Sequence, residues 1–355
     1  MKKVLIAMSG GVDSSVAAYL LKNEGYECIG CTMKLYANED IGISATRTCC
    51  SLSDVEDARS VAHRLKMPYY VFNFTDDFKE KVIDKFVQSY QNGKTPNPCI
   101  DCNRYMKFDK LYERARILGC DYVATGHYAR IVKENGEYLL KKGLDDTKDQ
   151  SYVLYQMTQE QLAHTLFPLG GLSKAETREI AEENGFLNAN KPDSQDICFV
   201  PDGDYAKVIS NYSNFSQTAG DFIDKNGKVL GRHKGIIHYT IGQRRGLGIS
   251  APQSLYVCAI SPKDNTVTLG SEADLYSTET SLLDVNWISG TTPKEPVRCF
   301  VKIRYRQKEQ PATVIATGDI TAKVVFDQPQ RAITPGQAAV FYDGDTVLGG
   351  GVIDC

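Results

Sequence analysis

The sequence lacks a hydrophobic run long enough to cross a membrane. No stretch of its 355 residues approaches the ~20 consecutive apolar positions that a membrane-spanning helix requires. The start, Met1-Lys2-Lys3 followed by five apolar residues, is too short for the hydrophobic region of a signal peptide and leads to no cleavage pattern. We therefore expect no membrane association and a cytoplasmic location.

The sequence also lacks a large excess of charge of either sign. Its 41 basic and 44 acidic residues leave a net charge of −3, which excludes a protein that binds nucleic acid through overall positive charge. A local basic surface is not excluded, because affinity for phosphates depends on patches. The eleven cysteines are an odd number in a chain long enough for two or three domains. They predict buried, metal-binding or catalytic thiols rather than a disulfide framework.

Two common nucleotide-binding patterns are missing from the first strand-to-helix connection. It carries neither the Gly-Lys-Ser/Thr of a Walker A loop nor G-x-G-x-x-G. Instead, the apolar run Val4–Met8 leads into SGGVDSS, residues 9–15. Two glycines let the backbone approach an anion, and the N–H groups at a helix start hold it. The residues assigned to this phosphate loop are Ala7, Met8, Ser9, Gly10, Gly11, Val12, Asp13 and Ser14. We expect Asp13 to help place Mg²⁺.

Alternating strand and helix patterns in the first two hundred residues predict an α/β fold with a doubly wound parallel sheet. The predicted strands are Val4–Met8, Glu27–Leu35, Tyr69–Phe74 and Tyr122–Thr125. Residues 159–184 show a helical pattern. Ligands bind at the carboxyl ends of parallel strands, where Ser9, Met33 and Gly126 are expected to lie.

The remainder of the chain has more β patterns. Residues 204–271 have short alternating segments and predict a small, mostly β domain. From residue 278 onward, short strands at regular spacing predict a small barrel or sandwich. We therefore divide the chain into an N-terminal α/β domain (1–203), a central linker domain (204–275) and a C-terminal β-barrel domain (276–355).

Three cysteines lie in polar segments. Cys99 and Cys102 are in PNPCIDCNR, and Cys198 is in DSQDICF. A thiol near a helix start and an arginine has a lowered pKa, and the thiolate is the nucleophile. Arg104 is expected to supply that charge beside Cys102. The sequence alone does not bring Cys198 near Cys102.

Eight motifs occur in order along nearly the whole chain. They are SGGVDSS, PNPCIDCNRYMKF, ATGHYAR, KDQSYVL, KPDSQDICF, HYTIGQRRGLGI, KIRYRQ and TPGQAAVFYDGD. With these motifs the chain resembles the tRNA-specific 2-thiouridylases of the PP-loop ATP pyrophosphatase superfamily. The resemblance implies that residues 1–203 form an ATP-binding catalytic domain like those of the adenine nucleotide alpha-hydrolases. It also implies that the barrel of residues 276–355 binds tRNA.

The resemblance also implies an activity, the transfer of sulfur to C2 of the wobble uridine (U34) of bacterial tRNA. ATP adenylates the uridine O2, and the products are 2-thiouridine, AMP and pyrophosphate. By position, Cys198 matches the persulfide carrier and Cys102 the second catalytic cysteine. A disulfide between the two is the implied oxidised product, which cytosolic thiols reduce. A persulfide donor or relay protein is the implied partner.

The binding residues of the family carry over to matching positions. Met33 and Gly126 match nucleotide contacts, in addition to the phosphate loop. The residues that match tRNA contacts are His127, Lys148, Asp149, Gln150, Arg304, Tyr305, Arg306 and Gln337. Charge combined with an aromatic ring at 304–306 suits phosphate contact and base stacking.

Cys99 departs from the family pattern, because many members carry an aspartate there as a proposed acid/base. Cys99, Cys102 and Cys198 together offer three thiolates for a [4Fe-4S] cluster or a zinc site. We favour persulfide chemistry without a cluster. Two different functions stay open for the same motifs: a PP-loop ligase of another substrate, such as an argininosuccinate synthetase, and an RNA-binding module without catalysis.

Overall fold

The computed structural model describes residues 1–36, 52–192, 197–200, 203–212 and 218–354. Four residues of the Cys198 motif, 193–196, lie outside these ranges. Within them, none of the helices combines the length and apolar character needed to cross a bilayer.

The predicted parallel sheet is confirmed, and it has five strands rather than four. The strands are β1 (Lys3–Ala7), β2 (Glu27–Lys34), β3 (Tyr69–Asn73), β4 (Tyr122–Ala124) and β7 (Thr165–Leu166). They are all parallel, in the order β3-β2-β1-β4-β7. The helical pattern expected over 159–184 was therefore wrong at β7, a strand of two residues that is too short to show a period.

Helices cover both faces of this sheet because alternate strand residues point to opposite sides. Val4 and Ile6 pack with α1 (Val12–Asn23), α2 (Leu52–Arg64) and α8 (Lys174–Glu183). Leu5 contributes to the core on the other face, where two longer helices pack.

Each of those two helices contains a π-helical segment. The first helix consists of α3 (Thr75–Phe78), a π segment (Lys79–Ile83) and α4 (Asp84–Gln91). The second consists of α5 (Pro98–Asp101), a π segment (Cys102–Lys110) and α6 (Leu111–Ile117). Segments of π-helix are frequent at functional sites, and here one begins at Cys102.

A hairpin and two short helices complete this part of the chain. The hairpin consists of β5 (Ala129–Glu134) and β6 (Glu137–Lys142). The helices are a 3₁₀ turn (Ser151–Leu154) and α7 (Gln159–Ala163).

Among its described residues, the central part has one α-helix, α9 (Tyr205–Tyr212), and a four-stranded sheet. Its strands are β8 (Gly220–Ile223), β9 (Val229–His233), β10 (Tyr256–Ser261) and β11 (Thr266–Gly270). Their order is β10-β11-β8-β9, and 3₁₀ turns at Ile236–His238 and Glu272–Leu275 flank the sheet.

The C-terminal part is a closed antiparallel barrel of six strands, the first of the two architectures predicted for it. The strands are β12 (Tyr276–Trp287), β13 (Val297–Lys302), β14 (Gln310–Gly318), β15 (Thr321–Arg331), β16 (Ala338–Asp343) and β17 (Thr346–Asp354). Pairing of β12 with β17 closes the barrel. The β5–β6 hairpin extends the barrel sheet through Lys141 and Thr346. The N-terminal part of the chain and the barrel therefore share a sheet.

Candidate nucleotide site and thiol loops

The loop after β1 has the backbone that a phosphate cradle requires. Gly10 has a φ of +75°, and a Cβ there would lie 2.3 Å from the Asp54 carbonyl oxygen, so only glycine fits. Gly11 caps α1 with extended backbone and no side-chain hydrogen bond to the first turn. The N–H groups of that turn are left without a side-chain cap, which suits an anion.

Gly126 lies against the same loop. A Cβ on Gly126 would be 2.8 Å from the carbonyl carbon of Asp13 and 2.9 Å from the nitrogen of Ser14. Met33, near the end of β2, is half-buried and packs against the core. The carboxyl ends of β1, β2 and β4 thus bring the candidate nucleotide residues to one edge of the sheet.

Two residues that the sequence analysis missed hold Asp13. The Lys174 ammonium lies 2.7 Å from Asp13 Oδ1, and the Tyr128 hydroxyl donates to the same oxygen at 2.8 Å. Tyr128 belongs to the ATGHYAR motif, but no local signal marks Lys174, which comes from α8. Asp13 is positioned to hold a cation, and in this structure it holds an ammonium group.

A second pair of residues holds Gly10. Its carbonyl oxygen accepts from Asn188 Nδ2 at 3.0 Å and from Lys191 Nζ at 3.3 Å. Lys191 also contacts Asp54 and Asp57, at 2.6 and 2.8 Å. Burial lowers the pKa of Lys191, but the two carboxylates outweigh it and the pKa is raised. Lys191 opens the motif that contains Cys198, so this contact ties that segment to the phosphate loop.

The segment with Cys99 and Cys102 is a rigid helix start. The Asn97 side chain accepts from the Cys99 N–H at 3.1 Å, and Pro98 is the first helical residue. Cys99 is exposed and Cys102 is half-buried. This places Cys102 one turn into the helix.

The segment with Cys198 packs on the helix that runs from Thr75 to Gln91. The Phe199 ring lies 5.2 Å from that of Phe86 and 5.8 Å from that of Phe78, and Tyr36 donates to the Cys198 carbonyl at 2.7 Å. Cys102 and Cys198 pack against the same core cluster.

The helix from Thr75 to Gln91 also contacts the Cys102 segment through an ion pair between Lys85 and Asp101 at 2.6 Å. Burial raises the pKa of Asp101, and Lys85 and Arg104 oppose that rise. Arg104, expected beside the Cys102 thiolate, is ion-paired with Asp284 of the barrel. Its charge is therefore partly compensated, which weakens its expected effect on Cys102.

A cleft of about 530 Å³ opens beside both thiol segments. Asn97 and Pro98 line it from one segment and Ile197 from the other, and all three parts of the chain contribute to its walls. The remaining walls include Tyr90, Tyr205, His238, Gln243 and Gln337. Aromatic rings and amide groups with little charge suit a planar heterocycle with polar edges.

The described residues do not gather three His, Cys, Asp or Glu side chains in a metal-binding arrangement. Cys99, Cys102 and Cys198 all belong to the described residues. In this conformation they do not fit a cluster or a zinc ion.

Several residues predicted to contact tRNA have internal partners. His127 is buried, with Nδ1 2.6 Å from the Thr125 hydroxyl and Nε2 3.4 Å from Lys107. Burial and the Lys107 charge hold the pKa of His127 well below its usual value. The imidazole is therefore neutral at pH 7.

Asp149 and Gln150 also point inward. Asp149 is buried and accepts from the N–H groups of Gly143 and Ser151, at 3.1 and 3.0 Å. Gln150 accepts from the Tyr128 N–H at 3.0 Å. Both help to shape the loop that follows β6, and Lys148 in the same loop is half-buried.

The 304–306 segment divides into an inner and an outer part. Arg304 donates to the carbonyl groups of Ile241 and Ala332, at 3.4 and 3.0 Å, and so joins the central part to the barrel. Tyr305 and Arg306 are exposed. The Tyr305 ring lies 5.7 Å from the Lys302 ammonium, which gives a cation beside a stacking surface.

Three family models match the chain. Residues 2–202 match one described as "tRNA methyl transferase HUP domain", 206–271 one described as "tRNA methyl transferase PRC-barrel domain", and 277–353 one described as "Aminomethyltransferase beta-barrel domain".

Curated relatives match over nearly the full length. The chain is 56% identical over 355 residues to a tRNA-specific 2-thiouridylase MnmA of Clostridioides difficile, covering 99% of this chain and 98% of the relative. It is 53% identical over 352 residues to that of Clostridium acetobutylicum, covering 99% of both. A solved 4-thiouridine synthetase–RNA complex with bound ATP matches with a TM-score of 0.38 and 21% identity, over 59% of this chain and 50% of that one.

Proposed function

Because the chain belongs to the tRNA-specific 2-thiouridylase family, we propose that it transfers sulfur to C2 of the wobble uridine of tRNA at the expense of ATP. It is an ATP-dependent sulfurtransferase acting on tRNA uridine. The observation that carries the finer proposal is the cleft whose walls include Asn97, Pro98 and Ile197, next to both thiol segments.

The first step makes the uridine O2 a leaving group. The O2 attacks the α-phosphorus of ATP, the bond from that phosphorus to the β-bridging oxygen breaks, and pyrophosphate leaves with the electron pair. The loop of residues 7–14 binds the phosphates through backbone N–H groups, and Gly126 allows close approach. Met33 contacts the adenine side. Asp13 is the residue that would hold Mg²⁺, which offsets phosphate charge when bound.

The second step uses the two cysteines. The terminal sulfur of a Cys198 persulfide attacks C2, and AMP departs with the former O2. The Cys102 thiolate then attacks Cys198 Sγ, which forms a Cys102–Cys198 disulfide and leaves the sulfur on the uridine. Cellular thiols supply the two electrons that restore both cysteines. A persulfide-bearing donor protein reloads Cys198.

The tRNA lies across the barrel and the ATP-binding part in this proposal. Tyr305, Arg306 and Lys148 supply outward contacts, and Gln337 reaches the cleft. His127, Asp149, Gln150 and Arg304 support that surface from within. A bacterial tRNA substrate and reducing thiols both imply a cytoplasmic location.

An anaerobic thiolation assay tests the function. Purified protein, ATP with Mg²⁺, a persulfide donor and unmodified bacterial tRNA are combined, and thiolated tRNA is detected by retardation on a mercury-containing gel. We expect ATP-dependent retardation, its loss in Cys198→Ser, and loss of ATP consumption in Asp13→Ala. Thiolation by Cys198→Ser would contradict the proposal that Cys198 carries the persulfide. Normal ATP consumption by Asp13→Ala would contradict the proposal that the loop of residues 7–14 binds the ATP phosphates.

Iron analysis and Cys99→Asp separate persulfide chemistry from cluster-dependent thiolation. The persulfide proposal predicts activity in iron-free protein and in Cys99→Asp, which restores the residue common in the family. Activity that requires about four irons per chain and is lost in Cys99→Asp would favour a [4Fe-4S] cluster instead. A ligase of a different substrate, or an RNA-binding module without catalysis, would give no thiolated tRNA.

A further inference from the structure

Two lysines from outside the phosphate-loop motif flank that loop. Lys191 lies at Gly10, between the carboxylates of Asp54 and Asp57. The Lys174 ammonium contacts the carboxylate of Asp13, and Asp13 belongs to the first turn of α1. Lys191 thus contacts two carboxylates outside the loop, whereas the Lys174 ammonium contacts Asp13, a carboxylate of the loop itself.

The position of Lys174 is fixed from several directions. It is the first residue of α8, whose start has a capping box between Ser173 and Glu176. Its side chain is only 12% exposed, and its ammonium lies 5.8 Å from the centre of the Tyr128 ring. The Tyr128 hydroxyl contacts the same Asp13 oxygen as the lysine. These contacts therefore hold the ammonium next to the phosphate loop.

We propose that Lys174 is a catalytic cation that binds the β- and γ-phosphates of ATP and stabilises the departing pyrophosphate. The inference rests on the proposed function. When the bond between the α-phosphorus and the bridging oxygen breaks, the electron pair passes to pyrophosphate. A shielded ammonium stabilises this charge more than an exposed one, because water screens it less. In this role Lys174 acts through its charge alone, and the step requires no proton transfer.

Calorimetric titration with inorganic pyrophosphate and Mg²⁺ tests this role without tRNA or a sulfur donor. The full chain is compared with Lys174→Gln, which removes the charge, and Lys174→Arg, which keeps it. Lys22→Gln is the matched control, because Lys22 lies on the same helix as Asp13 and about 14 Å further along its axis.

We expect Lys174→Gln to weaken pyrophosphate binding about tenfold or more, and Lys174→Arg and Lys22→Gln to stay within about threefold of the original. The rate of AMP formation at saturating ATP is also expected to fall in Lys174→Gln, since the charge develops in the transition state. Lys174→Met, which keeps apolar contact with Tyr128, replaces Lys174→Gln should that variant not fold.

Two results would overturn the inference, and they differ in meaning. If the original chain binds pyrophosphate and Lys174→Gln or Lys174→Met binds it with the same affinity, the proposed role of Lys174 is wrong. The assignment of the phosphate loop is not affected by that result. An original chain that does not bind pyrophosphate with Mg²⁺ overturns both this role and the phosphate-loop assignment on which the proposed function depends.

Discussion

Gln337 of the barrel donates through Nε2 to the carbonyl oxygen of Thr95 at 2.7 Å, two residues before Asn97 caps the helix that carries Cys99 and Cys102. The Thr95 N–H donates in turn to the Pro335 carbonyl at 2.8 Å. Lys94 and Asp354 form an ion pair of 2.7 Å beside this contact. The barrel therefore positions the segment that leads into Cys99 and Cys102.

This contact predicts that Gly336→Ala lowers thiolation about tenfold or more. Gly336 has a φ of +88°, and a Cβ there would lie 3.0 Å from the Thr95 nitrogen and 3.1 Å from Lys94 Cβ. Gly344→Ala is the control, since it has a φ of +57° but no atom near the added Cβ. Both variants carry the cost of a positive φ, about 1 kcal/mol. Equal activity in the two variants would show that the position of Thr95 does not matter for catalysis.

Gly126→Ala is expected to raise the KM for ATP. The added Cβ would meet the backbone of Asp13 and Ser14, which cannot move aside without shifting the phosphate loop. A loss of about 1–3 kcal/mol, or roughly five- to 150-fold in affinity, is expected from overpacking of this kind. Gly171→Ala has open space around its Cβ and should leave the KM unchanged. An unchanged KM for ATP in Gly126→Ala would show that Gly126 does not contribute to nucleotide binding.

Cys102 and Cys198, the two thiols of the proposed mechanism, should react with iodoacetamide at neutral pH, whereas Cys299 should not. Burial raises the pKa of Cys299 to about 12, so its thiolate is scarce. Mass spectrometry of briefly alkylated protein would report each cysteine. Cys299→Ser should keep full thiolation activity, and Cys102→Ser should lose it while ATP binding persists. Activity retained in Cys102→Ser would contradict the disulfide-forming step.

The buried position of His127 leads us to expect that the free energy of unfolding depends on pH. Its folded pKa lies well below the ordinary value because of burial and Lys107, so the unfolded chain binds a proton first as pH falls. The neutral imidazole thus stabilises the folded state above about pH 6.5. Below that pH its contribution to the free energy of unfolding falls by at most ~1.4 kcal/mol per pH unit. Thermal unfolding between about pH 7.5 and 5.5 should show a shallower slope in His127→Asn than in the original chain.

The control for this experiment is His63→Asn, because His63 is exposed on α2. Its slope should match that of the original chain. An identical slope in His127→Asn would show that folding does not lower the pKa of His127, which would contradict this prediction.

The phosphate loop and the parallel sheet could be predicted from the sequence, because both depend on local signals. A buried strand, a glycine pair and a helix start are contiguous along residues 4–23, and the alternation of strands and helices repeats along the first two hundred residues. The C-terminal strands alternate regularly, which predicted a barrel or a sandwich. The pairing of β12 with β17, which distinguishes the two, joins strands about 70 residues apart.

Three contacts could be seen only in the tertiary structure: Lys174 with Asp13, Lys191 with Gly10, and Gln337 with Thr95. The two residues of each contact are separated by 161, 181 and 242 positions, respectively, so no periodicity or spacing in the sequence predicts them. Folding likewise turned His127, Asp149 and Arg304 inward. Local patterns encode which residues are polar or form a helix, but the long-range packing of the three parts decides which polar groups meet.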